Sequence, residues 1–174
     1  MKQSTLLLIL LFASHLVFGQ TDGIRDFYNK YKNAENVTGV KLQGWIIKLA
    51  ATFTDDPEEV RLLRKISQLR ILNMENGNIV SRRDYDNLIS SLHKDRFEDL
   101  MMVKESGQNI QFLIREKGET ITNLMILVSG AENFIMLSLE GALKFSDLND
   151  LNIDIQGAEH FKKLPEDKKD VPRA

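Results

Sequence analysis

Several residue types are scarce or missing in this sequence, and neither charge is in large excess. The 174 residues include no cysteine, which excludes a disulfide scaffold, a thiolate metal site, a cysteine nucleophile and a lipid-modified N-terminal cysteine. Only three prolines and ten glycines are present, which excludes a collagen-like or proline-rich chain. Neither charge dominates, because 23 basic and 25 acidic residues give a net charge of −2. We therefore expect no nucleic-acid partner.

The remaining composition is that of a globular protein. Hydrophobic residues make up 43% and charged residues 28% of the chain, and the length favours one domain over two. We predict a single α+β domain over residues 20–157, followed by a charged, disordered tail at 158–174.

Residues 1–19 have the pattern of a secretory signal peptide. Lys2 supplies a positive start, residues 6–13 are an unbroken apolar run, and Val17 and Gly19 occupy the −3 and −1 positions of a cleavage site. The apolar run is shorter than the ~20 residues of a stable membrane span. We expect cleavage before Gln20, no stable span afterwards and a periplasmic or secreted protein. The alternative is an uncleaved interfacial anchor.

The first half of the remaining chain predicts helices. Apolar residues at helical spacing predict helices over 23–33 and 82–94. Asp56 followed by Pro57 is a strong start signal for another helix. A further helix is predicted from Gly44. Four residues supply its predicted apolar face: Trp45, Ile46, Leu49 and Phe53.

The second half changes to the alternation typical of strands. Four apolar runs of strand length are separated by short gaps that contain glycine. They lie at residues 100–103, 110–114, 121–128 and 134–139. We predict a four-stranded C-terminal meander, extended by two N-terminal strands into an antiparallel sheet, with amphipathic helices packed mainly on one face.

One predicted strand does not fit an arrangement with helices mainly on one face. Residues 124–128 are apolar on both faces, which is typical of a central strand that is covered on both sides. Either the helices divide between the two faces or a partner covers one of them. Four methionines lie in these strands, and we expect core packing for them rather than a binding surface. They are Met101, Met102, Met125 and Met136.

The order of these pieces resembles a known family. The segments that carry the resemblance are 37–42, 44–53, 121–128 and 134–141, followed by Leu148. The chain is similar over about residues 22–151 to the exported proteins grouped as domain of unknown function 4252, found mostly in Bacteroidetes. The resemblance implies an exported protein with a link to envelope signalling, and it brings no activity, ligand or catalytic residue.

No motif in the sequence predicts catalysis. His93 and His160 each lack a second ligand at helical or turn spacing. Ser91 and Lys94 match S-x-x-K, but the S-D-N and K-T-G elements of penicillin-recognising enzymes are missing. We therefore predict a protein that is not an enzyme and has no cofactor.

Two weaker site candidates remain. Asp150, Asn152 and Asp154 space oxygen ligands as a calcium loop begins, although alternating polar residues in an extended segment give the same pattern. Five basic residues form a candidate patch for an anion or a partner, and a solvated helix face is the alternative. They are Arg64, Lys65, Arg70, Arg82 and Arg83.

Three functional hypotheses follow. The leading hypothesis is an exported, non-catalytic protein that binds an envelope protein or a second copy of itself. The alternative is a small-molecule or ion-binding periplasmic protein with a pocket between the helices and the methionine-bearing sheet face. The third is a hydrolase that uses scattered carboxylates.

Overall fold

The computed structural model describes residues 22–148 and 150. The helices there are α1 (Asp22–Tyr31), α2 (Gly44–Ala50), α3 (Pro57–Lys65) and α4 (Arg82–Lys94). The strands are β1 (Thr38–Gln43), β2 (Ile66–Met74), β3 (Glu98–Glu105), β4 (Gln108–Lys117), β5 (Thr120–Ser129) and β6 (Phe134–Leu143), and a 3-10 turn follows (Phe145–Leu148). The predicted signal peptide and the predicted tail lie outside the described residues.

The six strands form one open antiparallel sheet. Their order is β1-β2-β6-β5-β4-β3, and every neighbouring pair is antiparallel. The predicted α+β class is confirmed, as is the C-terminal meander of β3 to β6. The two N-terminal strands join the meander through β6, which pairs with β2 from Ile66 opposite Gly141 to Met74 opposite Phe134.

The helices divide between the two faces of the sheet instead of lying mainly on one. Helices α1 and α4 cover one face, here called the α1/α4 face, where Phe27 and Leu92 pack with Met125. Helices α2 and α3 cover the opposite α2/α3 face, where Leu62 packs with Ile126. The side chains of β5 point alternately to the two faces, and residues 124–128 are all fully buried. A strand that is apolar on both sides therefore requires cover on both sides.

Side-chain caps fix the starts of α3 and α4. The Asp56 carboxylate accepts the backbone N–H groups of Glu58 (2.9 Å) and Glu59 (3.4 Å), as its position before Pro57 predicts. The Ser81 hydroxyl accepts the N–H of Asp84 at 3.1 Å. These caps satisfy N–H groups that have no partner inside a helix.

The predicted apolar face of α2 is wrong. Ile47, which was not in that set, is the buried residue of α2, whereas Trp45, Leu49 and Phe53 are 68%, 53% and 84% exposed. Gly44 sets this orientation, since a Cβ there would lie 2.8 Å from the carbonyl oxygen of Ser67. The close contact at Gly44 holds the start of α2 against β2, and the side of the helix that carries Ile47 faces the sheet.

Candidate functional site

A groove lies on the α1/α4 face, between α4 and the strands β3 and β4. Its volume is about 480 Å³. Helix α4 contributes Tyr85, Asp86, Ile89, Ser90 and His93, and the strands contribute Asp99, Met102, Lys104, Asn109 and Gln111. The α4 residues recur at the spacing of one helix face, so a single helix supplies one wall.

A chain of hydrogen bonds crosses the groove. The Tyr85 hydroxyl donates to Oε1 of Gln111 at 3.1 Å, and Nε2 of Gln111 donates to Oδ1 of Asp99. The other carboxylate oxygen of Asp99 lies 3.0 Å from Nε2 of His93. Gln111 is buried and has a partner at both ends of its amide. The chain therefore joins α4 to both strands and fixes the groove walls relative to each other.

The groove sets the protonation of Tyr85. Burial raises the pKa of the Tyr85 phenol, and the nearby carboxylates of Asp99 and Asp86 raise it further. The phenol is consequently a hydrogen-bond donor at neutral pH and does not act as a base there.

The groove is open to solvent and has an apolar part. Met102 is 57% exposed, so the expectation of core packing is wrong for this methionine. It lies on β3, the strand at one end of the sheet order, and faces the groove beside Ile89. Enclosed small-molecule pockets bury about 70–90% of their ligand. A groove this open offers less enclosure than such a pocket.

Three residue types used by hydrolases line the groove, but their geometry differs from an activated nucleophile. Ser90, His93 and Asp99 are all present, and Nε2 of His93 faces Asp99. Within residues 22–148 and 150, Ser90 forms no hydrogen bond with His93, which would have to take its proton.

The serine of the S-x-x-K motif lies elsewhere. Ser91 packs against α1 so closely that a Cβ on Gly23 would lie 2.0 Å from its hydroxyl oxygen. Gly23 and Ser91 therefore form a close contact between α1 and α4. This contact accounts for Ser91 without catalysis.

The calcium candidate is only partly within the structure. The carboxylate of Asp150 accepts a hydrogen bond from Nη2 of Arg61 at 3.1 Å, while Asn152 and Asp154 lie outside the described residues. In the part of the chain that the structure describes, no three His, Asp or Glu side chains are grouped to hold a metal ion.

The five basic candidates have different environments. Lys65 pairs with Asp147 at 2.6 Å on the α2/α3 side, and the buried Arg70 pairs with Glu140 at 2.6 Å within the sheet. The other three, Arg64, Arg82 and Arg83, are exposed. Lys65 and Arg70 are thus engaged by carboxylates, and the exposed Arg82 lies 3.9 Å from Asp86 on its own helix.

Asp147 is a buried charge that the sequence did not reveal. Its side chain is fully buried and accepts hydrogen bonds from Lys65, Arg61 and the backbone N–H of Lys144. Burial works against the charged form, but the Lys65 ammonium and the other donors outweigh it and hold the pKa of Asp147 below its usual value.

The fold and the groove define an α+β domain built on an open antiparallel sheet, with its candidate site between a helix and the edge of that sheet. The family model described as domain of unknown function (DUF4252) matches residues 31–151. The chain belongs to this family, as the resemblance predicted. Neither a curated protein nor a solved structure matches the chain. No helix in the described ranges is long and apolar enough to cross a bilayer.

Proposed function

We propose that this chain is an exported, non-catalytic binding protein of the cell envelope, and that the groove between α4 and β3 receives a segment of a partner protein. The observation that carries the proposal is the combination of an exposed Met102 with a hydrogen-bonded polar wall in one open groove. Exposed methionine is adaptable at protein-binding surfaces.

The charged groups of the groove would fix the orientation of a bound segment. Lys104 lines it as a cation, while Asp86 and Asp99 line it as anions. A bound segment would present an apolar side chain to Met102 and an acidic group to Lys104. Rim charges of this kind select the partner and its orientation more than they add affinity.

A cysteine-free chain allows this binding to be tested at a single position. Met102→Cys introduces the only thiol, to which a photo-activated cross-linker can be attached in the groove. The expected result is a discrete adduct with one envelope protein. Ile79→Cys is the matched control, because Ile79 is 50% exposed and lies outside the groove. Equal adducts from both positions, or none from position 102, would contradict the proposal.

Export is tested separately. The proposal expects the protein in the periplasmic or secreted fraction, with an N-terminus at Gln20 when its intact mass is measured. An intact N-terminus on protein from the cytosol would contradict export. It would not change the interpretation of the cross-linking result.

Ligand binding is the second candidate. The groove lies between a helix and a methionine-bearing strand, where the small-molecule hypothesis places its pocket. Thermal-shift screening with metal ions, lipids and small anions distinguishes the two candidates. A ligand that raises the midpoint in the wild type but not in Met102→Lys would favour the small molecule over the protein segment.

A further inference from the structure

Three large apolar side chains are exposed along α2 and in the turn that follows it. They are Trp45, Leu49 and Phe53, and we call them the α2 stripe; the three are 68%, 53% and 84% exposed. Residues four apart lie on the same face of a helix, so Trp45 and Leu49 are neighbours. Phe53 follows in the turn that continues from α2, where its N–H bonds the carbonyl of Ala50.

Helix α2 is apolar nearly all round, which is unusual for a helix that is exposed on one side. Among its seven residues only Lys48 is charged, and Ile47 already faces the sheet core. A helix that is apolar on every side is normally buried on every side. The sheet therefore accounts for one side of α2, and the α2 stripe requires a second apolar surface.

We propose that the α2 stripe inserts into the interfacial region of a lipid bilayer and holds the protein at a membrane surface. This inference does not depend on the groove, which lies on the other face of the sheet. The occupant is a lipid surface with zwitterionic headgroups, and the following observations favour it over a second protein.

The first observation is area. Two aromatic rings and a leucine at these exposures offer about 400 Å² of apolar surface. That is roughly half of the ~800 Å² that each partner contributes to a stable protein interface. A bilayer imposes no such minimum, because each inserted side chain leaves water independently.

The second observation is the chemistry of the side chains. Tryptophan favours the membrane interface, since its ring enters the apolar layer while its N–H stays near the headgroups. Lys48 lies on the same helix, is exposed, and has a stem long enough to reach the headgroup region.

The third observation is charge, which decides between kinds of lipid. Four exposed acidic residues directly follow the stripe, and they are Asp55, Asp56, Glu58 and Glu59. An anionic surface would repel this run, so neutral headgroups suit the stripe better.

The chain carries its own probe for this test, because Trp45 is its single tryptophan. The protein is mixed with phosphatidylcholine vesicles, and binding is measured by flotation and by Trp45 emission. We expect flotation, a blue shift of the emission, and quenching by lipids brominated near the headgroup. Adding phosphatidylglycerol to the vesicles should weaken the binding.

Variants identify the surface. Leu49→Ser with Phe53→Ser should lower the partition coefficient by about tenfold or more. It should leave the circular dichroism spectrum and urea midpoint unchanged, since both side chains are exposed. Ile79→Ser is the matched control and should bind like the wild type. All forms are prepared identically, so any contribution from residues 1–21 is common to them.

Three results would overturn the proposal. One is an unshifted Trp45 emission with no flotation. Another is equal vesicle binding by the double variant and the wild type. The third is a blue shift that grows with protein concentration in the absence of lipid, which would assign the stripe to a second copy. None of these results bears on cross-linking at the groove.

Discussion

The carboxylate of Asp147 lies 2.6 Å from the ammonium group of Lys65, although the two residues are far apart in the sequence. Lys65 ends α3, and Asp147 lies in the turn after β6. The same carboxylate binds Arg61 at 2.9 Å and the N–H of Lys144 at 2.7 Å. One buried anion therefore fastens the last described turn to α3.

Asp147→Asn should destabilise the protein. The variant keeps the shape of the side chain but leaves Lys65 without its counter-charge in a largely buried position. The expected loss is about 2 kcal/mol in the free energy of unfolding at pH 7, measured by urea titration. Asp150→Asn removes the more exposed partner of Arg61 and should cost less than about 0.5 kcal/mol.

This contribution should disappear in acid. The folded pKa of Asp147 is below its usual value of about 4, so the stabilisation is present above that pH. It is lost as the pH falls from about 4 through the lower folded pKa, because the carboxyl group then protonates in the folded state too. The gap between wild type and Asp147→Asn should shrink between pH 5 and pH 2. A gap that stays constant would contradict this account.

Tyr31→Phe should loosen the contact between α1 and α4. The Tyr31 hydroxyl donates to Oδ2 of Asp84 at 2.6 Å, and we expect its loss to cost about 1.5 kcal/mol at pH 7. Tyr28→Phe is the control, since its hydroxyl makes no hydrogen bond within the described chain, and it should cost less. Thermal unfolding measures both.

Tyr31 also predicts an alkaline limit to stability. Burial, followed by the hydrogen bond to Asp84, raises the pKa of Tyr31 to about 12. An unfolded tyrosine titrates near pH 10. The stabilisation is therefore complete below pH ~10 and is lost as the pH rises towards ~12. Wild-type stability should fall more steeply over that interval than the stability of Tyr31→Phe, and parallel curves would argue against it.

Gly141→Ala should be costly, although the change adds one methyl group. A Cβ at position 141 would lie 2.6 Å from the backbone oxygen of Lys65, and a backbone atom cannot rotate away. We expect a loss of about 2 kcal/mol in the free energy of unfolding. Ala142→Ser changes the exposed neighbour and should stay within about 0.5 kcal/mol. A fully stable Gly141→Ala would mean that β2 and β6 are less closely packed than described.

Gln111→Leu should separate the groove walls. It removes both hydrogen bonds of the bridging amide, so the Tyr85 hydroxyl and one oxygen of Asp99 lose their protein partner. We expect a loss of about 1 kcal/mol and weaker cross-linking from position 102. Asn109→Leu lies in the same groove on an exposed position and should leave stability within about 0.5 kcal/mol.

Local chemistry made part of the fold predictable. The bounds of α4 follow from the helical spacing of its apolar residues, and the meander follows from alternation and glycine-containing gaps. The face of α2 could not be predicted in the same way. Its sequence from Gly44 to Ala50 is apolar on nearly every side, so only the contact of Gly44 with β2 decides which side is buried.

The groove was unpredictable for a different reason. Its residues come from three separate stretches, and the contact of Gln111 with Asp99 depends on strand register, in which Met102 lies opposite Gln111. A shift of one residue would turn Gln111 to the other face. Asp147 likewise acquires its role only when the turn after β6 reaches α3, and no spacing in the sequence encodes that meeting.

The position of β6 between β2 and β5 dictates an order of events during synthesis. Strand β2 can pair with β1 early, yet its other edge gains a neighbour only when residues 134–143 have been translated. Until then the nascent N-terminal half carries an open edge that invites pairing with other chains. The meander can assemble by short-range closures, whereas the union of β2 with β6 requires a long loop to close and comes last. Chains truncated before β6 should therefore aggregate rather than persist as folded halves.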